Sequence, residues 1–534
     1  MTSPRSLFTP RNVLFLSTEV YPFAKTGGLA DVSAALPQAL CKLGHDVRVM
    51  MPQYGFIGEK KQKIYIVNRL QGIEFEIAGK YIVSNIKSSA ILTNKTRIQI
   101  YFLENEEYFH RLGLYVDPVT GEDYPDNDER FLLYSLAALE MCKRLLWKPD
   151  IIHCNDWQGG LIPALLKGPF KDDPFFKDTK VVFTIHNLAY QGNFPAETFA
   201  KLGLPPEFFT PEGMEFDGKV SYLKAGIAYA DAITTVSQTY AEEIRTPEFG
   251  FGMEDMLTKR KLDLHGILNG IDILVWDPEN DINIARPYNT DDFEEGDFSA
   301  KEACKQDLCF DMGIPYTEGR PVLGMIARLI DQKGFDLVAA ILDKILEADA
   351  QLVILGEGDK KYLELFTRLQ AIHPEQIGIY FGFHDNFAHK IEAGSDMYLM
   401  PSAYEPCGLN QMYSMHYGTI PVVRKTGGLA DTVIDAGTAK DRQRPEHSHP
   451  TGFTFEEYDP RAFWKALSRA LRIYREDKPL WRQLQINGMK KDFSWDRSAI
   501  EYGQVYEKIL KQPKSHLKQQ PGTTIPLSSL QEGS

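Results

Sequence analysis

The sequence predicts an α/β protein made of two parallel-sheet domains that face one interdomain cleft. Three observations carry this. The heptapeptide KTGGLAD occurs at residues 25–31 and again at residues 425–431. Each copy follows a short apolar run, Val13-Leu14-Phe15-Leu16 in the first case and Ile420-Pro421-Val422-Val423 in the second, and each opens a helix-like run. Short apolar runs alternate with helix-length segments in both halves, which is the pattern of a parallel sheet covered on both faces. The 534 residues exceed what a single hydrophobic core supports. A Gly-Gly pair at a strand-to-helix turn lets the backbone approach a ligand, and its amides suit an anion. Two ordinary turns could share residues by coincidence, but agreement over seven residues in the same context argues against it.

In chain order, residues 13–16 and 47–51 read as strands. Residues 60–103 are rich in β-branched and aromatic types and read as a β-meander insertion. Residues 131–146 carry helical apolar spacing, and residues 150–153, 180–185 and 231–236 read as short buried strands. Residues 280–296 are acidic and poor in long apolar runs, and read as a surface excursion near a domain boundary at Gly270. The pattern then restarts: a strand at 322–327, a helix at 335–346, and strands at 351–355, 377–381, 396–400 and 419–423. Residues 493–510 form a last helix. The polar end, 512–534, reads as a disordered tail. The expected division is 1–270, 271–494, a terminal helix 495–511, and that tail.

Composition removes several classes. The net charge of −14 gives no broad electrostatic footprint for nucleic acid, so an anionic ligand has to be met by local cations. No apolar run reaches membrane-span length, and residues before Val13 lack a signal-peptide core. Six scattered cysteines with no Cys-x-x-Cys pair fit a reducing cytoplasm.

Polar clusters gather at the C-terminal ends of the expected strands, the edge where open α/β sheets bind ligands. They are His153 to Trp157, Thr184 to Asn187, Leu268 to Asp272, Arg328 with Lys333, and Glu405 to Leu409. Each has an ordinary structural reading. His153 suits a packed histidine, Asp156 a helix cap, Arg328 and Lys333 a solvated pair, and Pro406 a first helical position. None of these readings accounts for the shared edge.

The motifs TGGL, Asn155-Asp156-Trp157, TIHNLAYQG at 184–192, ILNGID at 267–272, Trp276-Asp277-Pro278, Gln332-Lys333-Gly334 and EPCGL at 405–409 together resemble those of bacterial-type glycogen synthases and plant-type starch synthases. These are retaining glycosyltransferases of family 5, with the GT-B fold of two Rossmann-like domains. The resemblance runs from residue 12 to about residue 500. It implies transfer of glucose from a nucleotide sugar, ADP-glucose in this branch, to the non-reducing end of an α-1,4-glucan. The choice between ADP-glucose and UDP-glucose stays open.

The resemblance also implies roles. Arg328 and Lys333 match the family's phosphate-binding cations. Lys25, Gly27 and Gly28 would approach the donor from one domain, and Thr426, Gly427, Gly428, Gly408 and Leu409 from the other. Phe383 stands where a tyrosine can stack on the adenine, and keeps the ring face but not the hydroxyl. Glu405 matches the sugar-site glutamate, and the position of a second glutamate holds Tyr413. Asn410 stands where some members carry threonine. His186 lines the glucose, and Asp156, Asn187, Asn269 and Asp31 position sugar or acceptor. Cations around the diphosphate can replace a metal, so none is expected, although Asp126-Asn127-Asp128 has the Asp-x-Asp form of metal-dependent transferases. No cofactor is expected. Front-face transfer and a short-lived covalent intermediate remain alternatives. A glucan-binding module with a degenerate site would lack some of these charged residues, and nothing supports a pyridoxal phosphate lysine.

Overall fold

The computed structural model describes residues 7–92, 96–382, 384–437 and 449–512. Phe383 and the tail from residue 513 lie outside the described residues.

Two sheets organise the chain. The first is built from β1 (Asn12–Leu16), β2 (Asp46–Pro52), β3 (Tyr65–Ile66), β4 (Ile73–Ile77), β5 (Lys80–Leu92), β6 (Arg97–Glu104), β7 (Ile151–Asn155), β8 (Lys180–Ile185), β12 (Ala232–Thr235) and β13 (Leu264–Gly266). Short strands β9 (Asn193–Phe194), β10 (Glu215–Phe216) and β11 (Lys219–Ser221) make a separate small sheet. The first sheet runs β13-β12-β8-β7-β1-β2-β6-β5-β3, with β4 on β5. It is parallel from β13 to β6 and antiparallel beyond. The segment expected to form a meander insertion therefore extends the main sheet: β6 lies parallel to β2, and the antiparallel strands hang from it.

The second sheet is wholly parallel, in the order β16-β15-β14-β17-β18-β19. Its strands are β14 (Val322–Ile326), β15 (Gln351–Gly356), β16 (Ile377–Phe381), β17 (Met397–Met400), β18 (Ile420–Arg424) and β19 (Phe453–Phe455). Strands covered on both faces need continuous apolar runs, and β1, β8, β14, β15 and β17 are buried along nearly their whole length.

Six helices matter to the site: α1 (Gly28–Lys42), α2 (Asn127–Leu145), α3 (Gln238–Glu243), α4 (Asn410–His416), α5 (Gly427–Thr432) and α6 (Trp495–Lys511). The helix expected over 335–346 is two, Phe335–Ala340 and Leu342–Glu347, broken at Ile341. Pro406 is not a first helical position, because α4 begins at Asn410.

Residues 280–296 are not a surface excursion. Ile284, Tyr288 and Phe293 are buried in a small core with Cys304, Ala393, Tyr417 and Met489. Asp281 in that segment is buried, paired with His389 Nδ1 at 2.7 Å and accepting from Tyr417 Oη at 2.7 Å. Just before it, Trp276 stacks between His389 and Tyr413, each ring 4.0 Å away. Three widely spaced apolar residues suffice to seat an acidic stretch when its one buried charge is paired.

After the second sheet the chain returns. Ile271 N donates to Phe493 O at 2.8 Å, and α6 then packs along α1 and β8 of the first sheet. Tyr506 on α6 meets His153 Nδ1 at 2.7 Å, and His153 Nε2 meets Thr184 Oγ1 at 2.6 Å. His153 is fully buried, and burial pushes it down to about 3, so it is a neutral packing histidine. Tyr506→Phe leaves a buried ring nitrogen unpaired and is expected to cost about 1–3 kcal/mol. The denaturant midpoint measures this, and an unchanged midpoint contradicts it.

Candidate active site

In the parallel part of each sheet the strand order reverses once, and ligand sites of open α/β sheets form at such points. In the first sheet this lies between β1 and β7, and in the second between β14 and β17. The loops after β1 and β7 carry Lys25, Gly27 and Asp156. The loops after β14 and β17 carry Arg328, Lys333 and Glu405. The two edges face one another: Ser237 Oγ donates to Pro406 O at 2.7 Å, and a Cβ on Gly28 would lie 3.5 Å from Leu409 Cδ1.

In the second lobe, Lys333 Nζ and Glu405 Oε2 are 2.7 Å apart. Ser402 Oγ adds a hydrogen bond to the same carboxylate oxygen at 3.0 Å. Glu405 is buried, 6 % exposed, so an unpaired carboxylate there would be costly. Arg328 is exposed at the end of β14 and forms no ion pair with the described residues. Asn410 Nδ2 donates to Tyr398 Oη at 2.6 Å, which accounts for an amide at the start of α4. Tyr413 is held in the stack on Trp276.

The first lobe contributes a hydrogen-bonded wall around His186. Asp156 has φ +53° and ψ −175°, a strained backbone for a non-glycine residue. It does not cap the turn that follows: Oδ1 accepts from His186 N at 2.7 Å. Burial raises its carboxyl to about 7, against the pull of the His186 and Asn187 amides. His186 Nε2 lies 2.8 Å from Asn155 Oδ1. Asn155 Nδ2 is committed to Leu16 O at 2.8 Å, which orients the amide. His186 Nε2 therefore donates and Nδ1 is left as an acceptor. Burial pushes His186 down to about 3, so the ring is neutral. Asn187 Oδ1 accepts from Ala189 N at 3.1 Å. Asn269 is buried, and its Oδ1 has no protein partner.

The two copies of the repeat differ. In the first, Lys25 to Gly28 are exposed. Lys25 Nζ pairs with Asp31 at 2.8 Å, and burial raises the Asp31 carboxyl although Lys25 lowers it. The Glu19 carboxylate takes Thr26 N at 2.5 Å, Thr26 Oγ1 at 2.7 Å and Gly27 N at 3.3 Å. In the second, Thr426, Gly427 and Gly428 are buried. Thr426 Oγ1 donates to Glu243 at 2.8 Å and Gly427 N at 3.1 Å, while Gly428 N donates to Glu405 O and Pro406 O at 3.1 Å. The expected phosphate-facing amides of Thr426, Gly427, Gly428 and Gly27 are thus each held by a protein acceptor in this arrangement. Gly408, at φ +68°, turns the chain into Leu409.

Residues 126–128 are also engaged. Arg111 holds Asp126 at 2.5 Å, and Lys201 and Thr198 hold Asp128 at 2.8 Å each. Among the described residues no group of three or more His, Cys, Asp or Glu side chains converges as a metal site. Glu19, Glu243 and Tyr404 were not singled out in the sequence, and Asn155 appeared there only as a motif residue with no role given. A carboxylate for each Thr-Gly turn was the one signal open to inference.

Comparison with known proteins decides the family. Residues 12–259 match the model of the starch synthase catalytic domain, and residues 314–488 that of glycosyl transferases group 1. The glycogen synthase of Desulforudis audaxviator is 46% identical over 94% of this chain and 97% of its own length. This chain belongs to the glycogen synthase and starch synthase family. It is a glycosyltransferase of the GT-B fold. The glycogen synthase of Syntrophotalea carbinolica is 45% identical, over 94% of this chain and 99% of that protein. The catalytic domain of starch synthase IV from Arabidopsis thaliana, bound to ADP and acarbose, superposes with a TM-score of 0.84 at 31% identity, over 94% of this chain and all of that one. Sucrose-phosphate synthase from Thermosynechococcus elongatus shares the fold, with a TM-score of 0.55 at 16% identity, over 93% of this chain and 99% of that one. No helix among the described residues is long and apolar enough to cross a membrane.

Asp156 gives a pH prediction. With its carboxyl near 7, the ionised acceptor is lost as pH falls through that value. The pH profile of kcat/KM should therefore drop on the acid side with an inflection near 7. Asp156→Asn should lower activity and abolish the inflection. An unchanged profile in that variant assigns the inflection elsewhere.

Proposed function

We propose that this transferase moves glucose from ADP-glucose to the non-reducing end of an α-1,4-glucan, with retention of anomeric configuration. The Lys333–Glu405 pair carries the reading: a cation and a carboxylate 2.7 Å apart at a sheet switch point, opposite a neutral histidine. The hard step is departure of a diphosphate from the anomeric carbon. Negative charge grows on the leaving oxygens and positive charge on the ring. Fixed groups aimed at those charges lower the barrier.

In this reading Arg328 gives the diphosphate a planar fork and Lys333 a point charge. Lys25 and Gly28 approach from the exposed loop of the first lobe, and Leu409 packs across from Gly28. Glu405 holds donor-glucose hydroxyls and places negative potential near the ring. His186 offers Nδ1 to a sugar hydroxyl, and its neutrality avoids repelling a cationic ring. Asp156, Asn187, Asn269 and Asp31 order sugar and acceptor. Front-face transfer fits best, because Asp156 Oδ1 is turned onto the His186 amide. The departing phosphate oxygen then takes the acceptor's proton. The ADP and acarbose on starch synthase IV support an adenine nucleotide and a glucan-like acceptor. With the domain division at Gly270 and α6 returning to the first lobe, the proposed donor groups come from both lobes, so closure around the donor would exclude water. A reducing cytoplasm is the compartment proposed.

Radiolabelled ADP-glucose and UDP-glucose, each incubated with glycogen, test this directly. Incorporation from ADP-glucose, unaffected by a chelator, is expected. Incorporation from neither donor overturns the reading, and preference for UDP-glucose overturns the donor assignment. Lys333→Ala and Glu405→Ala should each cut kcat/KM by about a hundredfold or more while the protein stays folded. Wild-type activity in either removes that residue's role.

A further inference from the structure

We propose that Glu243 is a positioning residue, reaching from the first lobe to hold the turn that sets Glu405. The inference rests on the reading of Glu405 as a donor-site group. It starts from an exchange across the lobe boundary. Glu243, at the end of α3, accepts from Thr426 Oγ1 at 2.8 Å and from Gly427 N at 3.1 Å to each carboxylate oxygen. Asp431, near the end of α5, accepts from Thr239 N at 3.0 Å and Thr239 Oγ1 at 2.5 Å. Each helix thus lends a carboxylate to the start of the other. Two such bonds run in opposite directions, so sliding of one lobe past the other breaks both.

The chain of contact continues to the site. The next amide, Gly428 N, donates to Glu405 O and Pro406 O at 3.1 Å each. Ser237 Oγ, beside α3, donates to Pro406 O at 2.7 Å. There is no slack in the turn: Gly427 has φ +43°, and a Cβ there would lie 2.0 Å from Glu405 O. A shift of Thr426 or Gly427 is therefore passed to the backbone of Glu405, and from there to its 2.7 Å contact with Lys333. The first repeat uses the same device within one lobe, where Glu19 holds Thr26 and Gly27. The second copy of KTGGLAD is then a lobe-to-lobe fastening in place of a second phosphate loop.

Steady-state kinetics on the full chain test this. Glu243→Ala should lower kcat about tenfold, with the donor KM changed less than about twofold. Glu243→Gln keeps one acceptor and should recover most of the loss. Combined with Glu405→Ala, Glu243→Ala should lower residual turnover by less than about twofold, because it acts through Glu405. Thr426→Val is the milder variant should Glu243→Ala fail to fold, with about a threefold loss expected from one missing hydrogen bond. Wild-type kcat in Glu243→Ala, or the same penalty in both backgrounds, overturns the proposal while leaving the donor reading intact. Full turnover in Glu405→Ala removes both.

Discussion

The contact on which the site depends is the one between the Lys333 ammonium and the Glu405 carboxylate, 2.7 Å apart. Charges so close and so little hydrated are held by one another, and truncating one leaves the other exposed to the full cost of burial. The second sheet makes the contact. Its order reverses between β14 and β17, so the loops leaving those neighbouring strands diverge around a gap instead of running alongside each other. Lys333 comes from one loop and Glu405 from the other. Arg328, exposed beside them, adds a cation with no internal partner among the described residues. In the proposed reading, a diphosphate at this place would meet positive charge that needs little reorganisation.

The first lobe sets a neutral histidine opposite this pair. His186 is uncharged, its tautomer set through Asn155, and Asp156 is bent back on the amides of His186 and Asn187. The strained backbone of Asp156 is maintained because its amide bonds Thr184 O at 2.9 Å while its side chain bonds the next loop.

Much of the framework was legible in the sequence because strands of a doubly covered parallel sheet must be apolar throughout. Val13 to Leu16, Lys180 to Ile185 and Gln351 to Leu355 announced themselves in this way. The segment 280–296 was misread because its buried residues are spaced through acidic ones, and only the pairing of Asp281 with His389, 108 positions away, explains the acid. The site divided similarly. Lys333 and Glu405 were visible in motifs, and the structure brings them together. The fate of the second repeat was not visible. Glu243 lies 184 positions from Gly427, in an ordinary-looking helix. Local pattern cannot reveal that a distant carboxylate already occupies an amide.

The most direct measurement is a crystal structure of the full chain with ADP-glucose or ADP bound. This account predicts both phosphates within hydrogen-bonding distance of Arg328 and Lys333, with no metal ion between them and the glucose unit against Glu405 and His186. A diphosphate seated away from the β14–β17 loops, or bridged to the protein through a divalent cation, would contradict it.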